Sequence, residues 1–86
     1  MEKPQLLTRI GKADVLSKLP IVELAGQNRV LIENHQGVLA YSLEEIQIKV
    51  CYGSVCITGS NLHLMQLSKE QLVICGKIDA LQLFGR

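Results

Sequence analysis

From Leu19 onward, apolar residues alternate with polar ones, and the alternation restarts after each cluster of turn-forming residues. A period of two is the mark of a half-buried strand. LPIVELAG forms the first such stretch, with Pro20 at its entry, where a missing N–H does least harm. Gly26, Gln27 and Asn28 turn the chain into RVLIE, and Asn34-His35-Gln36-Gly37 turns it again into VLAYS. Leu43-Glu44 leads into EIQIKVC, and Tyr52-Gly53 into SVCIT. Gly59-Ser60, Ser68-Lys69-Glu70 and Gly76-Lys77 then lead into NLHLMQL, QLVIC and IDALQLF. Turn signals at such short intervals predict an all-β antiparallel meander closing into a β-sandwich, Ig-like in architecture. The alternative is a single-sheet, solenoid-like stack, although internal repetition is weak.

Pairing the arms about these turns tests the pattern. Ile32 then faces Leu39 and Val30 faces Tyr41; Tyr41 faces Ile46 and Leu39 faces Ile48. Further on, Val50 faces Val55, Ile48 faces Ile57, Ile57 faces Leu62 and Val55 faces Leu64. One face stays apolar throughout, and a slip of one residue would break this agreement. The expected core is therefore Val30, Ile32, Leu39, Tyr41, Ile46, Ile48, Val50, Val55, Ile57, Leu62 and Leu64. The other face begins polar with Glu33, Gln47, Lys49, Ser54 and Thr58, then turns apolar at Met65, Leu67, Leu72 and Ile74. A strand apolar on both faces is covered on both. Those four residues are the candidate interface, with cover from within the chain as the competing account.

Residues 1–18 have a different texture. Leu6, Leu7, Ile10, Ala13 and Leu16 recur at near-helical spacing, while Gly11 and Pro20 keep any helix short. This segment reads as an N-terminal arm ahead of a β domain over 19–86. A frayed arm or a helix packed on its own sheet is the favoured reading, and a helix docking on a membrane surface or a partner is the alternative.

At 86 residues the chain has room for one small domain, for which oligomerisation is a common source of stability. A net charge of +1 without basic clusters, and only Tyr41, Tyr52 and Phe84 as aromatics, argue against a nucleic-acid surface. No apolar run is long enough for a membrane span, and Thr8, Arg9, Lys12 and Asp14 interrupt any signal-like core. The expected compartment is the cytoplasm, with Cys51, Cys56 and Cys75 as free thiols.

No nucleophile, phosphate-loop or zinc-protease motif is present, so the chain reads as non-enzymatic, without a cofactor. The register sets Cys56 opposite His63 on the outer face, with Cys51 a diagonal neighbour. Zinc takes such ligands, but flat neighbours on one sheet face do not converge tetrahedrally, so no metal site is assigned. A small-ligand or metal-binding β domain stands as the alternative function. His35, beside Asn34, reads as a turn residue with local hydrogen bonds.

The blocks LPIVELAG, VLIENHQGVLAYS, GSVCITGSNLHL and EQLVICGKIDAL together resemble the YabP/YqfC family of sporulation proteins, and its YqfC branch in particular. Glu33, Asn34, His35, Gly37, Gly59, Gly76 and Lys77 match the family's motif positions, while Gln36 stands where the family often has Arg. The resemblance implies a small β protein of the mother-cell cytoplasm, placed at the forespore surface. It implies a role in spore morphogenesis or coat assembly through protein–protein interaction or self-assembly. A YqfD-like membrane protein is the implied partner, and a homo-oligomer is a second option.

Overall fold

The computed structural model describes residues 19–85. The expected arm over residues 1–18 lies outside them. The described chain contains β1 (Ile21–Ala25), β2 (Arg29–Glu33), β3 (Val38–Tyr41), β4 (Glu45–Val50), β5 (Gly53–Leu67) and β6 (Gln71–Gly85). All pairs are antiparallel, and they form one six-stranded sheet in the order β1-β2-β6-β5-β4-β3.

The organising feature is a long hairpin. β5 and β6 each run 15 residues and pair along their whole length. Gly59-Ser60 and Gly76-Lys77 are therefore not turns, as the local pattern suggested; they sit inside continuous strands, at interruptions of the β5–β6 register. Their glycines answer a steric demand. A Cβ on Gly59 would strike the carbonyl of Lys77, and one on Gly76 would meet the carbonyl of Asn61. Gly76 also has φ +136°, where other residues are strained. Glycine at a bulge is a known device for bending a strand.

Each half of the hairpin receives its own flanking pair. β2 pairs with residues 71–75 of β6 and carries β1 on its far side. β4 pairs with residues 53–58 of β5 and carries β3. The β1–β2 turn gives the carbonyls of Asn28 and Gln27 to the N–H groups of Gly76 and Ile78, at 3.2 and 2.8 Å. The β3–β4 turn likewise gives those of Glu44 and Leu43 to Gly59 and Leu62, at 3.0 and 2.8 Å. Each short hairpin is thus anchored at the middle of a long strand.

Val30 and Ile32 of β2 and Ile46 and Ile48 of β4 are all 0% exposed and share one cluster with Val50, Val55, Ile57, Leu62, Leu72, Ile74 and Ile78. β2 and β4 are not neighbours in the sheet. A flat sheet would leave this face wet, so the sheet must double over at the hairpin's midpoint, with the two inner faces covering each other. One continuous, bent sheet replaces the two separate sheets of the expected Ig-like sandwich.

The meander register about Asn34–Gly37 does not form either. β2 pairs with β6 rather than β3, so Ile32 lies opposite Leu72 and Val30 opposite Ile74. Leu72 and Ile74 are 0% exposed, which removes them from the candidate interface and places them in the core. Leu39 and Tyr41, expected in the core, are exposed. A register shift between Val38 and Ala40 sets Val38, not Leu39, opposite Ile48, while Tyr41 keeps its expected partner Ile46. The β4–β5 turn is Cys51-Tyr52, one position earlier than expected. Ile48 then faces Val55, a displacement of two residues that preserves the face.

Candidate functional site

The motif IENHQG is where the chain leaves β2, and its residues tie several segments together. Asn34 adopts φ 64°, a left-handed conformation that asparagine tolerates better than most residues. Its N–H donates to the carbonyl of Glu70 at 2.6 Å, and its side-chain amide donates to that of Leu19 at 2.8 Å. The His35 ring accepts from the N–H of Gly37 at Nδ1, 3.0 Å away. Its Nε2 lies 2.9 Å from the carbonyl of Ser68, which can only accept, so Nε2 carries the proton. Both ring nitrogens are thus occupied by backbone groups. Gln36 N–H then donates to Lys49 O, and Lys49 N–H to Gly37 O, at 2.7 and 2.8 Å. The motif closes the end of the molecule by joining the β2 exit, the β5–β6 turn, the start of β1 and β4. Its side chains are spent on structure.

Glu33 and Asn34 also line a shallow, open polar depression of about 220 Å³ with Glu70 and Gln71. Gln71 Nε2 reaches Glu33 Oε2 at 3.5 Å. Gly59, Gly76 and Lys77 lie far from this end in the fold, at the hairpin's bend, so the seven motif residues serve two separate structural tasks.

The thiol and imidazole groups are not gathered as the expected register placed them. Cys56 lies opposite Gln47 on β4 and Gln82 on β6, whereas His63 lies opposite Cys75. Among the described residues, no group of three or more His, Cys, Asp or Glu side chains is arranged to hold a metal ion. Cys56 is buried and donates from Sγ to Glu45 Oε2 at 3.2 Å; Gln47 Nε2 donates to the same oxygen at 2.7 Å. These two bonds, that from Gln47 first, hold the Glu45 carboxyl below its ordinary value against a smaller opposing effect of burial. Burial, then the hydrogen bond to Glu45 and its charge, push the Cys56 thiol up. A buried thiol kept protonated is a poor nucleophile and a poor metal ligand. Cys51, in the β4–β5 turn, is exposed.

Of the four candidate interface residues, Met65 and Leu67 remain at the surface, 60% and 55% exposed. They have company that the strand pattern did not indicate. The N–H of Leu64 donates to Tyr41 Oη at 3.3 Å, and that of Leu62 to Leu43 O, so the Tyr41 side chain and the β3–β4 turn reach the second half of β5. Leu39, Tyr41 and Leu43 are exposed, as are Met65 and Leu67, and the Tyr41–Leu64 and Leu43–Leu62 bonds form the seam between these two groups. A second exposed pair, Leu83 and Phe84, lies near the end of β6. No helix among the described residues is long and apolar enough to cross a membrane.

Comparison with known proteins places these features in context. The model of the YabP family matches residues 18–85. A Bacillus subtilis (strain 168) protein named "Uncharacterized protein YqfC" is 30% identical over 69 residues, covering 80% of this chain and 74% of that protein. No solved structure matches.

Proposed function

The chain belongs to the YabP family, and on that premise we propose that it is a non-enzymatic component of bacterial spore formation that works by binding other proteins. The observation that carries this reading is the exposure of Leu39, Tyr41 and Leu43 on one side, and of Met65 and Leu67 on the other, of the seam made by the Tyr41–Leu64 and Leu43–Leu62 bonds. Single surface apolar residues are ordinary, but several on elements joined by hydrogen bonds in so small a domain are where a contact surface is to be sought. Tyr and Met are also among the residues enriched at interfaces. In this account the protein acts in the mother-cell cytoplasm at the forespore surface, in morphogenesis or coat assembly. A YqfD-like membrane protein is the proposed partner, recruiting the domain to the membrane.

Capture from sporulating cells tests the reading. Met65→Glu with Leu67→Glu puts charge on two exposed positions, so the fold should survive and the captured partner should be lost. Retention of the same partner by a folded double variant would contradict the seam as the contact surface.

A further inference from the structure

The doubled-over sheet leaves four strand edges without a neighbour among the described residues, and three of them are blunted. β1 is five residues long and carries Glu23 at its centre. β3 is four residues long and is interrupted by the register shift between Val38 and Ala40. The second half of β5 has a register shift between Leu64 and Gln66, and its Leu62 and Leu64 N–H groups are already taken by Leu43 O and Tyr41 Oη. Short length, charge, bulges and side-chain cover are the usual protections against edge pairing.

The segment Ala80–Phe84 of β6 has no charge, no bulge and no covering neighbour among the described residues. β2 stops at the Arg29–Cys75 pair, and the β1–β2 turn reaches no further than Ile78. From Ala80 to Phe84 the strand is uncharged, and its pairing with Ser54–Thr58 of β5 is unbroken. Its inner face is apolar, and its outer face is Ala80 and Phe84 about a central, uncharged Gln82. Leu81 and Leu83 lie opposite Ile57 and Val55 and so face inward; Ala80 and Phe84 lie opposite Thr58 and Ser54 and face outward. Leu83 is 59% exposed and Phe84 48%.

We propose that this edge is a homodimer interface, in which Ala80–Phe84 pairs antiparallel with the same segment of a second copy. An exposed edge offers a row of N–H and C=O groups that another extended backbone can pair with in place of water. A second copy meets the side-chain requirement as well. A two-fold axis through Gln82 and perpendicular to the sheet sets Leu81 opposite the second copy's Leu83 on the inner face. On the outer face the same axis sets small Ala80 opposite large Phe84. The inner face is then apolar, and on the outer face the two Gln82 amides meet at the axis between two Ala80–Phe84 contacts. The contact is isologous and closes at the dimer. It joins β3, β4, β5 and β6 of each copy into one continuous sheet. The inference specifies a partner within the reading of the protein as an interaction module, and it uses an edge distinct from the Met65 and Leu67 seam.

Two measurements on the purified full chain decide it. In a Cys51→Ser background, Gln82→Cys puts a thiol on the axis, where directly opposed Cβ atoms lie about 4.5–5.5 Å apart. Mild oxidation should give a disulfide-linked dimer in high yield, whereas Gln66→Cys in the same background should not. Sedimentation should show a monomer–dimer equilibrium that Leu83→Lys weakens by about tenfold or more, since it buries an unpaired charge, while Met65→Lys leaves it unchanged. A wild-type chain that stays monomeric at high concentration, linkage no greater at Gln82→Cys than at Gln66→Cys, or assembly growing past the dimer would overturn the proposal. A monomer that still captures its sporulation partner would refute the dimer and leave the proposed function standing.

Discussion

The two ends of the β5–β6 hairpin are built alike and finished differently. At one end β2 covers residues 71–75 of β6; at the other, β4 covers residues 53–58 of β5. In both, a short hairpin lends two turn carbonyls to the midpoint of a long strand, beside a glycine that admits a close backbone approach. The difference lies in the strand left uncovered. The second half of β5 is broken by a register shift and capped by Tyr41, whereas Ala80–Phe84 of β6 is unbroken in register, uncharged and without a neighbour on its outer edge among the described residues. Identical construction accounts for the shared core. Unequal finishing marks where the molecule can make contacts.

The largest effects should come from changes that act on both ends at once. Ile32→Ala in β2 and Ile46→Ala in β4 each remove a fully buried side chain, at a cost of about 2–5 kcal/mol. Because the two residues share one core, denaturant melts of either variant should stay single-step, with both ends weakened together. A biphasic melt would break the comparison by showing that the ends fold separately. The bend should be almost as sensitive. Gly76→Ala meets the Asn61 carbonyl at a positive φ, and we expect a loss of about 2–4 kcal/mol. Gly59→Ala should behave alike, since its new Cβ meets Lys77.

His35→Ala acts at one end only. It removes the bonds to Ser68 and Gly37, and thermal melts should show a loss of about 1–2 kcal/mol. The smallest effect concerns Glu45. Its carboxyl is lowered in the folded state, so its contribution is present above the ordinary carboxylate value and is lost as pH falls through the lowered one. Glu45→Gln should therefore flatten the acid limb of the stability profile and change little at neutral pH. A thiol reagent should meanwhile modify Cys51 in the native protein and Cys56 only on unfolding.

How much of this was legible in the sequence follows from what periodicity can carry. Nine expected core residues, Val30, Ile32, Ile46, Ile48, Val50, Val55, Ile57, Leu62 and Leu64, do face or pack against the core, because parity survives an error of two residues in a turn. Connectivity did not survive. Gly59 and Gly76 carry the same local signal whether they end a strand or bend one, and reading them as turns split each long strand in two. Leu72 and Ile74 went to the wrong face for a different reason, the bulge between Leu64 and Gln66, which shifts parity along β5 without a local signal. Leu39 and Tyr41 were misplaced in the core because the β2–β6 pairing joins residues some forty positions apart, and no local turn reports it. The motif residues were recognisable as a set, but the hydrogen bonds from Asn34 and His35 depend on Leu19, Ser68 and Glu70 arriving from elsewhere. The bare edge of β6 was legible only as low charge in IDALQLF. Its isolation required the topology.

Amide hydrogen exchange along β6, in dilute and concentrated solution, tests the contrast between the two ends most directly. Amides of residues 71–75 lie between two strands and should exchange slowly at both concentrations. The amides of residues 80–84 that point away from β5 should exchange fast when dilute and slow by about tenfold or more when concentrated, as edge pairing forms. Equal exchange across β6 in dilute solution, or rates at residues 80–84 that ignore concentration, would contradict the account.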